Sequence, residues 1–384
     1  MRTSTDRILT THVGSLPRPD DLATGLFARE AGTLGDPAAF EAAVTQAVSD
    51  AVSRQAKLGL DVISDGEMSK ISYATYVKDR LSGFDGDSPR NPPADLEAFP
   101  RFMARQAKGG GTPTYRRPMC VGPIAVKDDA PLERDLANLK AARSAHAPNA
   151  EAFMNAASPG VIALFQPNAY YSSQDAYLGA LADAMASEYR AIVEAGFILQ
   201  VDSPDLGLGR HVLFKGQSDD AYVRACEAHV EALNAALAGL PRDRVRLHVC
   251  WGNYEGPHHC DAPIDLVLGL ALRAHVGAVL FEGANPRHAH EWTYFKSHRP
   301  PDDVILVPGV IDSTTNFIEH PELVAQRIET YANLVGKDRV IAGCDCGFAT
   351  FAGFGAVDPD IAWAKLGALA EGAALASRRL WGRA

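Results

Sequence analysis

One histidine, two cysteines and one glutamate end apolar runs in the second half of the chain, and all four are residue types that bind zinc. His248 and Cys250 are two residues apart, so on a β-strand their side chains would point to the same face. Glu282 closes the run AVLFE, and Cys346 closes VIAGCDC. Zinc accepts nitrogen, thiolate sulfur and carboxylate oxygen, so these residues predict a tetrahedral Zn²⁺ site.

The remaining cysteines give weaker signals. Cys344 competes with Cys346, because residues two apart on a strand share a face, although Cys346 is nearer the predicted strand end. Cys226 falls in the apolar stripe of a predicted helix and is expected in the core. Cys120 and Cys260 lack a comparable partner spacing. Four loop histidines are further candidates for acid–base or supporting roles, although such histidines are more often only solvated: His258, His259, His288 and His290.

The charge of the predicted ligand set indicates which chemistry it suits. Two thiolates and one carboxylate outweigh the charge of Zn²⁺, which leaves the metal a weak Lewis acid toward water but able to hold another thiolate. A zinc-bound thiol loses its proton near neutral pH and remains a nucleophile. Hydrolytic zinc sites more often use neutral histidines and an open water position. The ligand types therefore favour alkylation of a thiol over hydrolysis.

For these side chains to meet, they must follow strands whose carboxyl ends lie on the same side of a sheet. The apolar pattern of the sequence predicts such strands. Helical periodicity appears between the apolar runs, as in residues 41–58 and in the segments that begin at 177 and 219. Alternating strands and helices indicate parallel strands with right-handed crossovers. Eight runs are predicted as strands: 8–15, 61–67, 161–167, 198–204, 245–250, 278–282, 304–312 and 340–346.

Eight such strands predict an α/β fold of the (β/α)8 TIM barrel type, in which functional groups gather at the carboxyl ends of the strands. A doubly wound open sheet is the alternative. It is disfavoured because no G-x-G-x-x-G follows the first strand and because polar strand ends are spread over the whole chain. We expect one catalytic barrel over residues 1–384, with an insertion after the second strand at about 83–126. Its segment 83–118 is rich in Gly and Pro, and a hairpin is expected at 119–126.

Composition narrows the function classes. The 384 residues carry a formal net charge of -10 and no Lys/Arg-rich run, which argues against nucleic acid and anionic membranes as partners. Six cysteines are too few for a disulfide scaffold and predict a reducing compartment. The first residues lack a signal-peptide core, and no apolar run reaches membrane-spanning length. We expect a cytoplasmic enzyme that acts on small molecules, and the oligomeric state stays open.

Several of these strand ends fall within motifs that resemble the catalytic C-terminal barrel of the cobalamin-independent methionine synthases. The resemblance implies a (β/α)8 barrel with Zn²⁺ held by His248, Cys250, Glu282 and Cys346, and it favours Cys346 over Cys344. It also implies homocysteine as the thiol and 5-methyltetrahydrofolate as the methyl donor. Seven motifs match in order: HVGSLPRP at 12–19, DVISDGE at 61–67, QVDSP at 200–204, HVC at 248–250, FEGANPR at 281–287, PGVID at 308–312 and DCG at 345–347.

The same resemblance assigns the amino-acid substrate. Ser15 matches the position that binds its carboxylate, and Glu67 and Asp202 match the acids that hold its ammonium group. Two carboxylates at strand ends suit such a cation, although a serine or aspartate there is also a common helix cap. The chain resembles the short, single-barrel members of the family, because it has no room for the second barrel of the full-length enzymes.

Two departures from the family pattern concern the pocket. The family's Asp-Glu-Pro reads Asp-Ser-Pro here, with Ser203 in the middle. The family's Tyr-Asp-Ile-His, whose histidine is thought to donate a proton, reads Ile-Asp-Ser-Thr here, ending in Thr314. Asp312 keeps the aspartate of this motif and is one candidate catalytic residue. His12, near the end of the first strand, is the other, as a substitute proton donor.

The main hypothesis is a zinc-dependent methyltransferase that methylates a thiol, homocysteine in the first place, from a methylated folate or a smaller donor. An epoxyalkane:coenzyme M transferase is the rival enzyme, in which arginines near strand ends could pair with a sulfonate. A non-catalytic barrel, a metal-free lyase of the uroporphyrinogen-decarboxylase type and a zinc-storage protein also stay open. The arginines considered for a sulfonate are Arg18, Arg210 and Arg287.

Overall fold

The computed structural model describes residues 1–89, 92–108, 117–353 and 355–382. Ten strands are found in this part of the chain, and eight of them form one parallel sheet. The strands are β1 Leu9–Thr10, β2 Val62–Ile63, β3 Phe84–Asp85, β4 Met119–Cys120, β5 Glu151–Ala157, β6 Ile198–Asp202, β7 Val245–His248, β8 Ala278–Phe281, β9 Ile305–Ile311 and β10 Ile341–Cys344.

The parallel sheet closes into a barrel. Its strand order is β1-β10-β9-β8-β7-β6-β5-β2, and a parallel bridge between Thr11 and Val62 joins the first strand to the last. The predicted (β/α)8 barrel is therefore confirmed. Most of the predicted site residues follow their strands directly, at the carboxyl end of the barrel, where this fold presents its functional groups.

Helices cover the outside of the barrel. The three predicted helical segments lie in α2 (Pro37–Leu58), α8 (Gln174–Glu194) and α10 (Asp219–Ala236). These helices start at the capping side chains of Asp36, Ser173 and Ser218. In the described part of the chain, no helix is long and apolar enough to cross a bilayer. The helices are α1 Asp20–Glu30, α2 Pro37–Leu58, α3 Tyr73–Arg80, α4 Ala94–Glu97, α5 Pro100–Lys108, α6 Ala130–His146, α7 Pro159–Phe165, α8 Gln174–Glu194, α9 Gly209–Val212, α10 Asp219–Ala236, α11 Ile264–Ala271, α12 Pro321–Val335 and α13 Pro359–Trp381.

The third predicted strand, residues 161–167, is wrong. Those residues belong to α7, and the third barrel strand is β5, Glu151–Ala157. The apolar run is helical because Ser158 caps it, its Oγ accepting from the Val161 amide at 2.9 Å, and because Pro159 stands in the first turn. The alanine-rich β5 lacks the β-branched residues that would have marked it as a strand.

The insertion lies between β2 and α6, as predicted. Its first and last described parts pair as an antiparallel ladder of β3 and β4, and a bridge between Leu81 and Val126 continues it. The hairpin expected at 119–126 is therefore one strand at 119–120 that pairs back to residues 84–85. Helices α4 and α5 lie between these strands, and residues 90, 91 and 109–116 lie outside the described residues.

A buried arginine ties the barrel together from inside. Arg246 of β7 donates Nε to Gln200 Oε1 at 2.9 Å, Nη1 to Thr11 Oγ1 at 3.1 Å and Nη2 to the His12 carbonyl at 3.1 Å. Its guanidinium lies 3.7 Å from the ring centroid of Phe153. These bonds connect β6 and β7 to the residues just after the two-residue strand β1, which has little ladder of its own.

Candidate metal centre and pocket

Three of the four predicted metal ligands converge at the carboxyl end of the barrel. His248 is the last residue of β7, Cys250 follows it by two, and Cys346 follows β10. One ligand atom from each lies within 4.8 Å of the others, and the two sulfurs are 3.6 Å apart. All three side chains are buried.

The fourth predicted ligand, Glu282, stands beside this group and is bonded elsewhere. It follows β8, and its Oε1 accepts from the Trp251 amide at 2.9 Å while Oε2 accepts from Asn285 Nδ2 at 2.7 Å. Within the described residues it is therefore not part of the converging set. Cys344 is also excluded from that set, because its thiol donates to the Cys346 carbonyl at 3.0 Å.

The converging residues fit a zinc ion. His248 Nδ1 lies 2.9 Å from Asp202 Oδ1, whereas the buried Nε2 has no hydrogen-bond partner in the described part of the chain. Although burial opposes it, Asp202 and Cys346 raise the pKa of His248 to about 10. The hydrogen bond with Cys250, helped by His248 and opposed by burial, lowers the pKa of the Cys346 thiol to about 6. A divalent cation would take the place of the proton held here.

Asp202 has more partners than the sequence reasoning assigned to it. Besides the His248 ring, its Oδ1 accepts from Gln200 Nε2 at 3.0 Å and its Oδ2 from Asn155 Nδ2 at 2.8 Å. Gln200 could have been found, because it lies two residues before Asp202 on the same strand face. Asn155 was missed because it belongs to β5, which was not predicted as a strand.

Asp345 is another residue that the sequence reasoning missed. Its carboxylate accepts from the amides of Gly283, Ala284 and Asn285, each at 2.8 Å. The Asn285 side chain joins it to Glu282, donating to both carboxylates. Asp345 therefore fixes the loop after β8 against the loop that carries Cys346. Its position inside the Asp-Cys-Gly motif was the available signal.

Ser15 and Glu67, the predicted substrate-binding residues, line the same pocket as the converging residues His248, Cys250 and Cys346. Glu67 has a left-handed backbone, with φ of 58°, and its buried Oε2 accepts no hydrogen bond from the described residues but lies 3.8 Å from Arg18 Nη2. Burial raises the pKa of Glu67 to about 8, partly offset by Arg18. Ser15 Oγ lies against Gly347. A Cβ added at position 347 would stand 2.0 Å from this oxygen, so the position accommodates only glycine.

The pocket has a polar floor and an apolar upper part. Its volume is about 550 Å³. Its floor is lined by the three converging residues, His248, Cys250 and Cys346, and by Ser15, Glu67 and Asp202. Aromatic side chains from three parts of the chain also line it, namely Tyr73, Tyr254 and Phe351. Residues of the insertion complete the lining: Pro92, Pro93, Leu96, Met103, Gln106 and Arg117.

Neither candidate catalytic residue, His12 or Asp312, lines this pocket in the described structure. His12 is buried with Nε2 2.8 Å from Gln55 Oε1, and burial lowers its pKa to about 4. Asp312 accepts from the Thr314 amide and hydroxyl, and from the Thr315 hydroxyl. Both oxygens of Asp312 thus hold the loop after β9, and the geometry does not support His12 as a proton donor to a substrate in the pocket.

The arginines considered for a sulfonate also lie outside the pocket lining of the described residues. Arg18 donates to the carbonyls of Glu67 and Ala349. Arg210 is paired with Asp219, and Arg287 is exposed.

Two of the four loop histidines form a buried network beside the centre. Asp261 Oδ2 lies 3.0 Å from His258 Nδ1 and 3.0 Å from His288 Nε2. His288 Nδ1 lies 2.8 Å from Glu291 Oε2, and its Nε2 lies 4.0 Å from Glu282 Oε2. His288 therefore supports the surroundings of Glu282. The other two, His259 and His290, do not line the pocket.

Known proteins resemble the chain along nearly all of its length. It is 26% identical over 365 residues to the uncharacterized protein YxjH of Bacillus subtilis, covering 92% of this chain and 91% of that protein. It is also 26% identical over 344 residues to a methionine synthase of Sulfurisphaera tokodaii, covering 88% of this chain and 85% of the relative.

Solved structures support the same fold. A B12-independent methionine synthase from Shewanella sp. W3-18-1, in complex with selenomethionine, superposes with a TM-score of 0.74 at 18% identity, covering 98% of this chain and 99% of that one. A putative vitamin-B12 independent methionine synthase from Listeria monocytogenes gives a TM-score of 0.64 at 19% identity, with coverages of 98% and 99%.

The family model described as the catalytic domain of cobalamin-independent synthase matches residues 8–89 and 159–358. These two segments contain the strand ends that form the centre, and the gap between them contains most of the insertion. The resemblance expected from the seven motifs is therefore confirmed. The chain belongs to the cobalamin-independent methionine synthase family, which is a family of methyltransferases.

Proposed function

We propose that this protein is a zinc-dependent methyltransferase that methylates the thiol of homocysteine to give methionine. The observation that carries the proposal is the convergence of His248, Cys250 and Cys346 on the floor of a pocket that also holds two carboxylates. Among the described residues, His248 Nε2 has no hydrogen-bond partner. Family membership supports the reaction class. A cytoplasmic location, expected from the composition, belongs to the same proposal.

The residues that would hold the metal are His248, Cys250 and Cys346, with Glu282 as the adjacent fourth ligand. Zinc bound by them would keep the substrate thiol deprotonated near neutral pH. Asp202 orients the His248 ring by accepting from Nδ1, which is the usual way that a carboxylate fixes a metal-binding imidazole.

The floor of the pocket suits the amino-acid end of homocysteine. Glu67 Oε2 is buried and accepts no hydrogen bond from the described residues, with Arg18 Nη2 3.8 Å away. Asp202 lines the same floor, so an α-ammonium group would find acceptor oxygens there. Ser15 can donate to the α-carboxylate. Desolvated charged hydrogen bonds of this kind are stronger than neutral ones, which favours an amino-acid thiol over one that carries a sulfonate.

Methyl transfer then needs a donor above the thiol. The sulfur forms a bond to the methyl carbon, and the bond from that carbon to the leaving atom breaks, its electron pair going to the leaving group. A methylated folate or a smaller methyl donor satisfies this balance, the folate amine requiring a proton as it leaves. The apolar upper pocket has room for the donor.

Metal analysis is the first test. Protein purified without added metal is expected to contain one zinc per chain, and Cys250→Ala and Cys346→Ala are each expected to lose it. Cys260→Ala is the matched control, because this cysteine is partly exposed and outside the centre, and it should keep the metal. Full zinc retention in both ligand variants would remove the basis of the proposal, and a metal-free wild type would favour a lyase or a non-catalytic barrel.

Thiol titration is the second test. Zinc-loaded protein is titrated separately with homocysteine and with coenzyme M, while zinc–sulfur coordination and proton release are measured. Homocysteine is expected to add one sulfur ligand and to release a proton, because a thiol that binds zinc loses its proton. Proton release with coenzyme M alone would instead favour an epoxyalkane:coenzyme M transferase.

A further inference from the structure

Helices α4 and α5 of the insertion form the cover of the pocket, which we call the insertion roof and define as residues 92–106. Leu96 and Met103 of the roof line the pocket together with Leu208 and Val212 of the barrel. The metal ligands lie on the floor below. A second substrate that reacts with a thiol on the floor must therefore lie between the floor and the roof.

One buried carboxylate fastens the insertion roof to the barrel. Asp95 on α4 is completely buried. Its oxygens accept from the Tyr254 hydroxyl at 2.8 and 2.9 Å and from the His258 amide at 2.9 Å. Both donors belong to the loop after β7, which starts directly after His248 and contains Cys250, two of the proposed metal ligands. The same loop thus carries the floor and holds the roof.

The donors are arranged for this carboxylate. His258 has a left-handed backbone, with φ of 52°, a conformation that costs energy in a residue other than glycine. Tyr254 stacks on the His258 ring, with centroids 4.5 Å apart. Burial opposes ionisation, yet the nearby His211 ring, with Nδ1 3.6 Å from Asp95 Oδ1, and the hydrogen bonds from Tyr254 and His258 lower the pKa of Asp95 to about 2.

The other described bonds between the roof and the barrel are exposed or only partly buried, and one of them runs from Lys215 Nζ to the Pro92 carbonyl at 2.8 Å. Lys215 pairs with Glu97 at 2.8 Å, and Gln106 donates to the Glu255 carbonyl at 2.9 Å. Exposed ion pairs contribute little, whereas a buried carboxylate with several donors costs much when it is removed. Asp95 is therefore the principal fastening among the described contacts.

We propose that Asp95 is a positioning residue that holds the insertion roof over the pocket, and that the roof binds the apolar body of the alkyl donor. The lining supports this donor class, because four apolar side chains line the same pocket, Leu96 and Met103 from the roof and Leu208 and Val212 from the barrel. The inference about the donor rests on the proposed function. The fastening of the roof does not.

Hydrogen–deuterium exchange tests the fastening without any donor. In Asp95→Ala, amides of residues 94–106 and 254–258 are expected to exchange at least about tenfold faster than in the wild type, while the zinc content stays the same. Glu97→Ala is the matched control, since it breaks only the exposed pair on the same helix, and its exchange should stay near that of the wild type. Equal protection in Asp95→Ala and the wild type would overturn the proposal.

Alkyl iodides of different length test the role in donor binding. Zinc-loaded enzyme with homocysteine is assayed with methyl iodide and with 1-iodobutane, after subtraction of the uncatalysed rate. In Asp95→Ala, kcat/KM for 1-iodobutane is expected to fall about tenfold more than that for methyl iodide, mainly through KM. An equal fall for both iodides, or no fall, would contradict a role in donor binding.

Tyr254→Phe provides a second test if Asp95→Ala folds poorly, because it removes the hydroxyl that contacts both Asp95 oxygens and keeps the ring. Its exchange and its iodide preference should move in the same direction as those of Asp95→Ala. A wild-type enzyme that alkylates no thiol would refute the proposed function, and the exchange experiment would still decide whether Asp95 fastens the roof.

Discussion

At the scale of single residues, the candidate centre depends on partners that hold each ligand in place. Asp202 bonds the His248 ring, and Asn155 and Gln200 bond Asp202 in turn. Asn285 holds the carboxylate of Glu282. Residues of this kind are as important to a metal site as the ligands, because they fix the tautomer and the direction of the ligand atoms.

Asp202→Asn should weaken zinc binding. An amide presents a donor or a weaker acceptor to His248 Nδ1, so the ring loses the charge that orients it, and the dissociation constant for zinc should rise about 10–100-fold. Competition with a chromogenic chelator measures this. Asp312→Asn is the matched control, a buried aspartate of another strand-end loop that does not line the pocket. Equal zinc affinity in the wild type and Asp202→Asn would contradict the orienting role.

Gly347→Ala should destabilise the barrel mouth, because the added Cβ would lie 2.0 Å from Ser15 Oγ. Overpacking of this kind costs about 1–3 kcal/mol in the free energy of unfolding, which urea titration measures. The double variant with Ser15→Ala should recover much of the loss. Gly367→Ala in α13 is the control, since its nearest contact is an ordinary 3.7 Å. A double variant no more stable than Gly347→Ala would argue against the clash.

At the scale of elements, short helices and loops after the strands place the chemistry. Helix α7 directly follows β5 and takes the place of a run predicted as a strand. Its cap Ser158 also donates to Asp205 Oδ1 at 3.0 Å, which links α7 to the loop after β6. The start of this helix thus connects two neighbouring strand ends near Asp202.

Ser158→Ala should therefore cost more than the loss of a helix cap. Losing the cap costs about 1 kcal/mol, and leaving Asp205 with one partner fewer in a buried site adds about 1 kcal/mol. Ser173→Ala, at the exposed cap of α8, removes only the bond to the Ala176 amide and should cost about 1 kcal/mol. Urea unfolding of both variants gives the comparison, and equal losses would show that the bond to Asp205 contributes nothing.

At the scale of the whole molecule, closure of the barrel depends on few backbone bonds at one seam. Strands β1 and β2 have two residues each and meet through the Thr11–Val62 bridge. Arg246 compensates from the interior, since it joins β6 and β7 to Thr11 and His12. The polar interior at this level is thus part of what keeps the candidate site assembled.

Arg246→Met should destabilise the protein by about 3 kcal/mol or more, because it removes the guanidinium donors to the buried oxygens of Gln200, Thr11 and His12. Thermal and urea unfolding measure the loss. Arg244→Met is the matched control, a partly exposed arginine two residues earlier, and its effect should stay within about 0.5 kcal/mol. Similar losses in the two variants would show that the interior bonds do not hold the barrel closed.

The sequence by itself determined the barrel, most of its strands and the residue types of the centre. This worked because local periodicity reports which residues are buried, and because parallel strands bring their carboxyl ends to one side. The periodicity predicted a strand at 161–167, where Ser158 and Pro159 instead start a helix. Because β5 was not predicted as a strand, Asn155 was not recognised as part of the site.

Only the tertiary structure decided which side chains meet. In the folded protein, Asp202 is the partner of His248, and Glu282 is hydrogen-bonded to Trp251 and Asn285. His12 is bonded to Gln55 and does not line the pocket. It also brought Asp95 from the insertion to the loop after β7. These contacts join residues far apart in the chain, and hydrogen bonds between distant segments depend on packing that leaves no periodic trace in the sequence.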